Sequence, residues 1–212
     1  MKNGTLLAAI DLGSNSFRLE ICRYNNGLFQ RFEYLKEAVR QGSGLDNNRN
    51  LDSASMQKGW DCLSRFAEKL AGFDPAHVRA VATQTLREAR NAPVFLEQAN
   101  RILGFPIEVV SGREEARLIY QGVAQLLPSS SEKRLVVDIG GRSTEFIIGE
   151  NKTALSLESY RIGSVSSSIK HFASGEFSHA AFEQAEVAAK AILEEALDRK
   201  STRLNSSHEW IS

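Results

Sequence analysis

Two stretches of this chain set a carboxylate beside a glycine turn at the end of an apolar run: Ile10-Asp11-Leu12-Gly13-Ser14-Asn15-Ser16 and Val137-Asp138-Ile139-Gly140-Gly141-Arg142-Ser143. A strand that ends this way places an acid next to backbone N–H groups that can point at a phosphate. Two such turns facing each other across a cleft would hold a phosphate chain and its Mg²⁺ from both sides. Mg²⁺ is usually bound by one or two carboxylates together with phosphate oxygens. Asp11, Asp138 and Glu145 are the expected metal contacts, and Ser14, Asn15 and Ser16 the expected phosphate contacts of the first turn. A lone Asp-x-Gly is a common strand ending, and the three polar residues could simply cap their own turn. The duplication, which extends through apolar positions as far as Ile21 and Ile148, favours the phosphate reading.

A third carboxylate comes from Ser111-Gly112-Arg113-Glu114, whose Ser-x-x-Glu spacing predicts a capping box opening a helix. Ala116, Ile119, Tyr120, Val123, Leu126 and Leu127 define its expected buried stripe. At roughly 100° per residue Glu114 falls opposite that stripe and Glu115 at its edge. Glu115 is therefore the candidate general base for activating water, against the plainer reading of a solvated acidic helix start. Arg87 follows Thr83-Gln84-Thr85-Leu86 at a strand end, where it either clamps a phosphate or pairs with Glu88 or another surface acid. His77, His171 and His179 show no metal-ligand spacing.

These residues need an α/β scaffold to position them. Leu6–Leu12 and the alternating Phe17–Ile21 predict two strands joined by the first turn, and Asn25-Asn26-Gly27 predicts a further turn into a third. Residues 52–71 read as a helix on Met56, Trp60, Leu63, Phe66 and Leu70, ended by Gly72. Strands are expected at 78–83 and 107–110, helices at 86–89 and 91–103, and a linker at Pro128–Lys133. Beyond it come the second hairpin, with its apolar run Phe146–Ile148, and a packing helix over residues 177–197. Alternating strands and helices make this an α/β pattern.

With 212 residues, 42% hydrophobic and 25% charged, the composition excludes disorder, collagen repeats and a disulfide scaffold. Lys+Arg and Asp+Glu balance at 26 each, which argues against nucleic acid or an acidic membrane as partner. Cys22 and Cys62 are expected to be reduced thiols. No run of about 18 apolar residues predicts a membrane span, the N-terminal apolar run is too short for a signal peptide, and a cytoplasmic location is expected. The terminal residues 198–212 back-translate into a string similar to a short-read sequencing adapter. Native sequence is accordingly expected to stop near Leu197, with the protein truncated there and His208 and Trp210 outside any functional argument.

The stretches Ala9–Leu19, Ala82–Asn91, Ser111–Ile119 and Val137–Glu145 together resemble the exopolyphosphatase and guanosine pentaphosphate phosphatase (Ppx/GppA) family, in that family's order. The resemblance implies an actin-like ATPase fold of two duplicated ribonuclease-H-like domains, here residues 1–127 and an incomplete 133–197. It further implies Mg²⁺-dependent release of terminal phosphate from inorganic polyphosphate, with guanosine pentaphosphate as the alternative substrate and a homodimer for the full-length protein. A non-catalytic nucleotide- or polyphosphate-binding module is the alternative that truncation leaves open. Glu115 matches the family's catalytic glutamate and Arg87 its substrate-binding arginine. Asp138, Gly140, Gly141, Ser143 and Glu145 match its second phosphate and metal loop. Arg142 departs from the family's Gly-Gly-Gly-Ser: it forfeits glycine's positive-φ freedom but adds a cation beside the expected phosphates, so it either hinders the loop or joins in binding, with tolerance expected.

Overall fold

Ala8, Ile10 and Leu12 alternate with outward residues along β1 (Leu6–Leu12), and this period of two buries one face of the strand. The computed structural model describes residues 1–206, with side chains through residue 194. His208 and Trp210 lie outside that description, and of the adapter-like segment 198–212 only the helix backbone through residue 206 lies within it.

β2 (Phe17–Asn25) and β3 (Leu28–Glu37) continue antiparallel from β1. Their connecting turn uses Asn26 and Gly27 at φ 50° and 84°, the left-handed pair that a tight hairpin requires. α1 (Ser53–Lys69) begins where the Asp52 side chain accepts the Ser55 N–H at 2.6 Å. β4 (Val78–Ala82) then returns parallel to β1, followed by the short α2 (Gln84–Glu88), α3 (Ala92–Leu103) and β5 (Ile107–Val109). The resulting sheet has the order β3-β2-β1-β4-β5. Its core is filled by Phe17, Leu63, Phe66 and Phe95, none of them exposed. The Trp60 ring stacks on Phe95 at 5.9 Å and donates its indole N–H to the Phe95 carbonyl at 3.1 Å. Cys22 and Cys62 are free thiols, and burial pushes Cys62 up to about 12.

α4 (Gly112–Leu126) starts with half of the expected capping box. Ser111 Oγ accepts the Glu114 N–H at 3.1 Å, but the Glu114 carboxylate turns instead to Arg117 at 2.6 Å and 2.7 Å. The helix packs on a second sheet of β6 (Lys133–Ile139), β7 (Thr144–Glu150) and β8 (Thr153–Tyr160), an antiparallel meander. Ala116, Tyr120 and Ala124, spaced by four, meet Ile147 in a small second core. The Tyr120 hydroxyl donates to Asn151 O at 3.1 Å, and its ring occupies the space where Gly149 has no side chain. The expected stripe was too wide at its end. Leu126 is 87% exposed because two residues beyond Ala124 the helix has turned by about 200°, and Leu127, also exposed, follows the end of the helix as its C-cap.

The chain divides into two compact units, Met1–Val165 and Ser166–Ser212. Both sheets lie in the first. α5 (Ser164–His171) runs across the boundary, and the second unit carries α6 (His179–Ser206) with a cluster of Phe172, Phe177 and Phe182. Among the described residues no helix is long and apolar enough to cross a membrane.

Candidate active site

Both glycine turns are tight for the same reason. A Cβ on Gly13 would lie 2.9 Å from Ser16 O, and one on Gly140 2.9 Å from Ser143 O. Only glycine lets the chain fold back so sharply after the strand. In the first turn Ser14 and Ser16 are buried. Ser14 O accepts the Gly42 N–H at 2.7 Å, and its Oγ accepts the Thr85 hydroxyl at 2.8 Å. In the second, Gly140 N–H closes on Ser143 O at 2.9 Å, while the Gly140 and Gly141 carbonyls accept the N–H groups of Ser164 and Val165. The turns approach closely: a side chain on Gly141 would meet Ser14 Cβ at 3.1 Å.

Between them lies a cavity of about 170 Å³. Gly13, Ser14, Asn15 and Ser16 line one wall and Gly140, Gly141 and Ser143 the other, with Asp11, Asp138 and Glu115 also facing in. Arg18, Lys36, Thr83, Ile139 and Ser164 complete the lining and were not singled out from the sequence as site residues. Strand register explains two of them. Asp11 pairs with Arg18 across β1–β2, and Arg18 with Lys36 across β2–β3, so the three stand in one row. The Phe17–Ile21 alternation already put Arg18 on the Asp11 face. Lys36 needed the pairing itself.

Arg18 Nη1 donates to Asp11 Oδ2 at 3.0 Å. The Asp11 carboxyl is nevertheless raised, chiefly by burial, with Arg18 opposing and the nearby Asp138 adding to the rise. Asp138 has no such counter-ion opposite it; its partner across β6–β7 is Glu145. Glu145 is fully buried behind the cavity wall. Its Oε1 accepts the Ser159 hydroxyl at 2.7 Å, and Oε2 has no hydrogen-bond partner among the described residues. Burial raises its carboxyl, the Ser159 and Ser143 hydroxyls oppose, and Asp138 raises it further.

The structure separates the two glutamates at the start of α4. Glu114 faces outward and is held low by Arg117. The Glu115 side chain is 16% exposed, and its carboxyl is pushed up to about 7 by burial first and the negative charge of Glu145 second, against Arg87. Arg87 Nη1 donates to Glu115 Oε2 at 2.7 Å and to Val110 O at 2.8 Å. Arg87 thus touches the carboxylate and stands outside the cavity lining.

Arg142 also stands outside it, contrary to the expectation of a substrate contact. Its guanidinium turns away from the cavity to Glu88 Oε2 at 3.0 Å and Gly42 O at 3.0 Å. Its φ is not positive, so the position never needed glycine's freedom and tolerates arginine. Among the described residues no three Asp, Glu, His or Cys side chains converge as a ready metal cage.

Residues 20–212 match the family model described as the Ppx/GppA phosphatase family. The chain is 48% identical over 193 residues to a guanosine-5′-triphosphate,3′-diphosphate pyrophosphatase of Vibrio atlanticus (strain LGP32), covering 91% of this chain and 39% of that protein. Among solved structures, an exopolyphosphatase-like protein superposes with a TM-score of 0.84 at 27% identity, over 93% of this chain and 62% of the other. An exopolyphosphatase from Cytophaga hutchinsonii superposes with a TM-score of 0.70 at 32% identity, over 75% and 51%. The chain spans 39% of the length of its Vibrio relative, and its fold is the α/β actin-like ATPase fold. Paired glycine turns, a carboxylate at the head of α4 between them, and a family match over residues 20–212 place this chain in the Ppx/GppA phosphatase family.

Proposed function

We propose that the whole protein hydrolyses the terminal phosphoanhydride of guanosine 5′-triphosphate 3′-diphosphate, with Glu115 as the general base. The observation that carries this reading is Glu115 itself, a carboxylate facing the cavity between two phosphate-shaped turns and raised to about 7, where it takes a proton from water most effectively near neutral pH. Water held by Glu115 attacks the terminal phosphorus in line, and the phosphoanhydride oxygen leaves with the rest of the nucleotide. N–H groups of both turns, with Ser14, Ser16 and Ser143, hold the phosphate oxygens, and Arg18 and Lys36 oppose their charge. Arg87 orients Glu115 by donating to one of its oxygens at 2.7 Å.

The second turn suits Mg²⁺. Asp138 and Glu145 are two carboxylates in register with no cation between them, and Glu145 Oε2 is buried without a partner. Phosphate oxygens and water would supply the remaining ligands. Bound there, Mg²⁺ would neutralise charge on the transferring phosphoryl group. Asp11, already paired with Arg18, is the third candidate ligand.

The nucleotide is preferred over polyphosphate because the relatives at 45–52% identity are named for it. The resemblance to exopolyphosphatase structures keeps polyphosphate as the second substrate. Phosphate release by the whole protein, with the two substrates in competition, separates them: the nucleotide should suppress polyphosphate hydrolysis at lower concentration than the reverse. Glu115→Gln should cut release from either by about 10²-fold or more, and an unaffected rate would place the base elsewhere. Magnesium-dependent nucleotide binding without turnover would identify a binding module instead.

A further inference from the structure

α2 is only five residues long, yet its side chains reach both turns and the carboxylate between them. Thr85 donates to Ser14 in the first turn. Glu88 receives Arg142 of the second turn, whose Nε and Nη2 reach Oε2 at 3.2 Å and 3.0 Å, and Arg161 Nε lies 3.7 Å from its Oε1. Gln84 opens the helix, and its side chain lies between Glu88 and Arg87. Its Nε2 donates to Glu88 Oε1 at 2.7 Å, and its Oε1 accepts Arg87 Nε and Nη2 at 3.1 Å and 2.6 Å. Arg87 then donates through Nη1 to Glu115. The hydrogen bonds are continuous from Arg142 through Glu88, Gln84 and Arg87 to Glu115.

The order of charges in this chain is informative. An amide set between a carboxylate and a guanidinium has one satisfactory orientation, with nitrogen towards the acid and oxygen towards the cation. Gln84 is 5% exposed, and the Glu88 and Arg142 side chains are 12% and 19% exposed. An apolar residue at Gln84 would be cheaper to bury, so what the amide contributes is direction. With Nε and Nη2 tied to Gln84, the Arg87 fork is fixed in plane, and Nη1 can meet only one oxygen of Glu115. The other oxygen takes no hydrogen bond from Arg87.

We propose that Gln84 and Glu88 are positioning residues, which hold Arg87 and through it Glu115 in alignment with the second turn by way of Arg142. This rests on the reading of Glu115 as the base. It also gives the departure Arg142 a role: the arginine ties the second turn to the helix that aims the carboxylate.

The test is a set of variants in the whole protein, assayed for phosphate release from guanosine 5′-triphosphate 3′-diphosphate. Gln84→Leu and Glu88→Ala should each lower kcat about tenfold with KM changed less than about twofold. Because they act in series, the double variant should be no slower than the worse single. Glu88→Gln still offers Gln84 an oxygen and should keep most of kcat. Losses that multiply in the double variant, or a raised KM at unchanged kcat, would overturn the proposal. A second readout needs no turnover: the Arg87 Nε–H resonance, protected from solvent exchange in the unaltered protein, should lose that protection in Gln84→Leu while the thermal midpoint stays within a few degrees. If Glu115→Gln proves as active as the unaltered protein, the base assignment fails, and this resonance alone decides the alignment, its loss supporting the relay and its persistence refuting it.

Discussion

The hairpins β1–β2 and β6–β7 are built on the same motif and differ in what stands opposite the aspartate. Asp11 faces Arg18 in register and bonds to it, whereas Asp138 faces Glu145, a second acid. The first turn thus has its own cations beside the acid before any ligand arrives, and the second has none opposite its two acids. On the proposed reading, a single cross-strand neighbour turns one motif to two uses: a phosphate seat on the first sheet and a cation seat on the second. The strands also differ in cover. Ile10 and Leu12 are each 1% exposed, while their counterparts Val137 and Ile139 are 43% and 71% exposed, in a row with Leu135. α1 and α3 fill one face of the first sheet, and among the described residues nothing fills the corresponding face of β6.

The sharpest test of that difference in cover is a matched truncation. Leu12→Ala should destabilise the chain by about 2–5 kcal/mol, because it opens a hole in a packed core. Ile139→Ala at the equivalent position should cost no more than about 0.5 kcal/mol. Urea denaturation of the 212-residue chain gives both numbers, and equal losses would mean that β6 is covered after all.

The electrostatic half of the comparison predicts a smaller but qualitative effect. Asp138→Asn should slow phosphate release by the whole protein about 10²-fold and raise the Mg²⁺ concentration needed for half-maximal rate. Asp11→Asn should raise that concentration less than Asp138→Asn does, since Arg18 already answers its charge. If both variants shifted the Mg²⁺ requirement alike, the two turns would share the metal equally.

The group between the turns gives the smallest effect, and it is read by pH. Burial raises the folded-state pKa of Glu115 to about 7 from the ordinary 4.5. The folded chain therefore holds this proton more tightly than the unfolded chain. The corresponding stability is complete below about pH 4.5 and is lost as pH rises through about 7. Glu115→Gln removes that loss, so relative to the unaltered chain it should gain on the order of 2 kcal/mol between pH 5 and pH 8. Thermal unfolding at the two values measures it, and equal differences would show an ordinary, solvated carboxylate.

Much of this arrangement was legible before folding because it is local. The duplicated Asp-x-Gly turns announced both hairpins, and helical spacing alone ranked Glu115 above Glu114. What stayed hidden depends on pairing between distant segments. Lys36 enters the cavity only because β3 aligns it with Arg18, and Glu88 matters only because Arg142 arrives from the second turn, 54 residues along the chain. β8 and α5 were not anticipated, since Thr153–Tyr160 mixes polar and apolar residues without a clean period. Arg142 was expected beside phosphate because a cation in a phosphate loop suggests an anion, yet a carboxylate of the protein itself satisfies it.

Gly149 has a consequence for how this protein can drift over generations. It lies on β7 and touches no ligand, and it leaves empty the volume that the Tyr120 ring fills. Tyr120 follows Glu115 on the same helix by little more than one turn. Any mutation that gives position 149 a side chain must either expel that ring or be matched by a smaller residue at position 120. The two positions are bound to change together, and a strand residue without chemistry of its own becomes a silent constraint on the helix that carries the carboxylate.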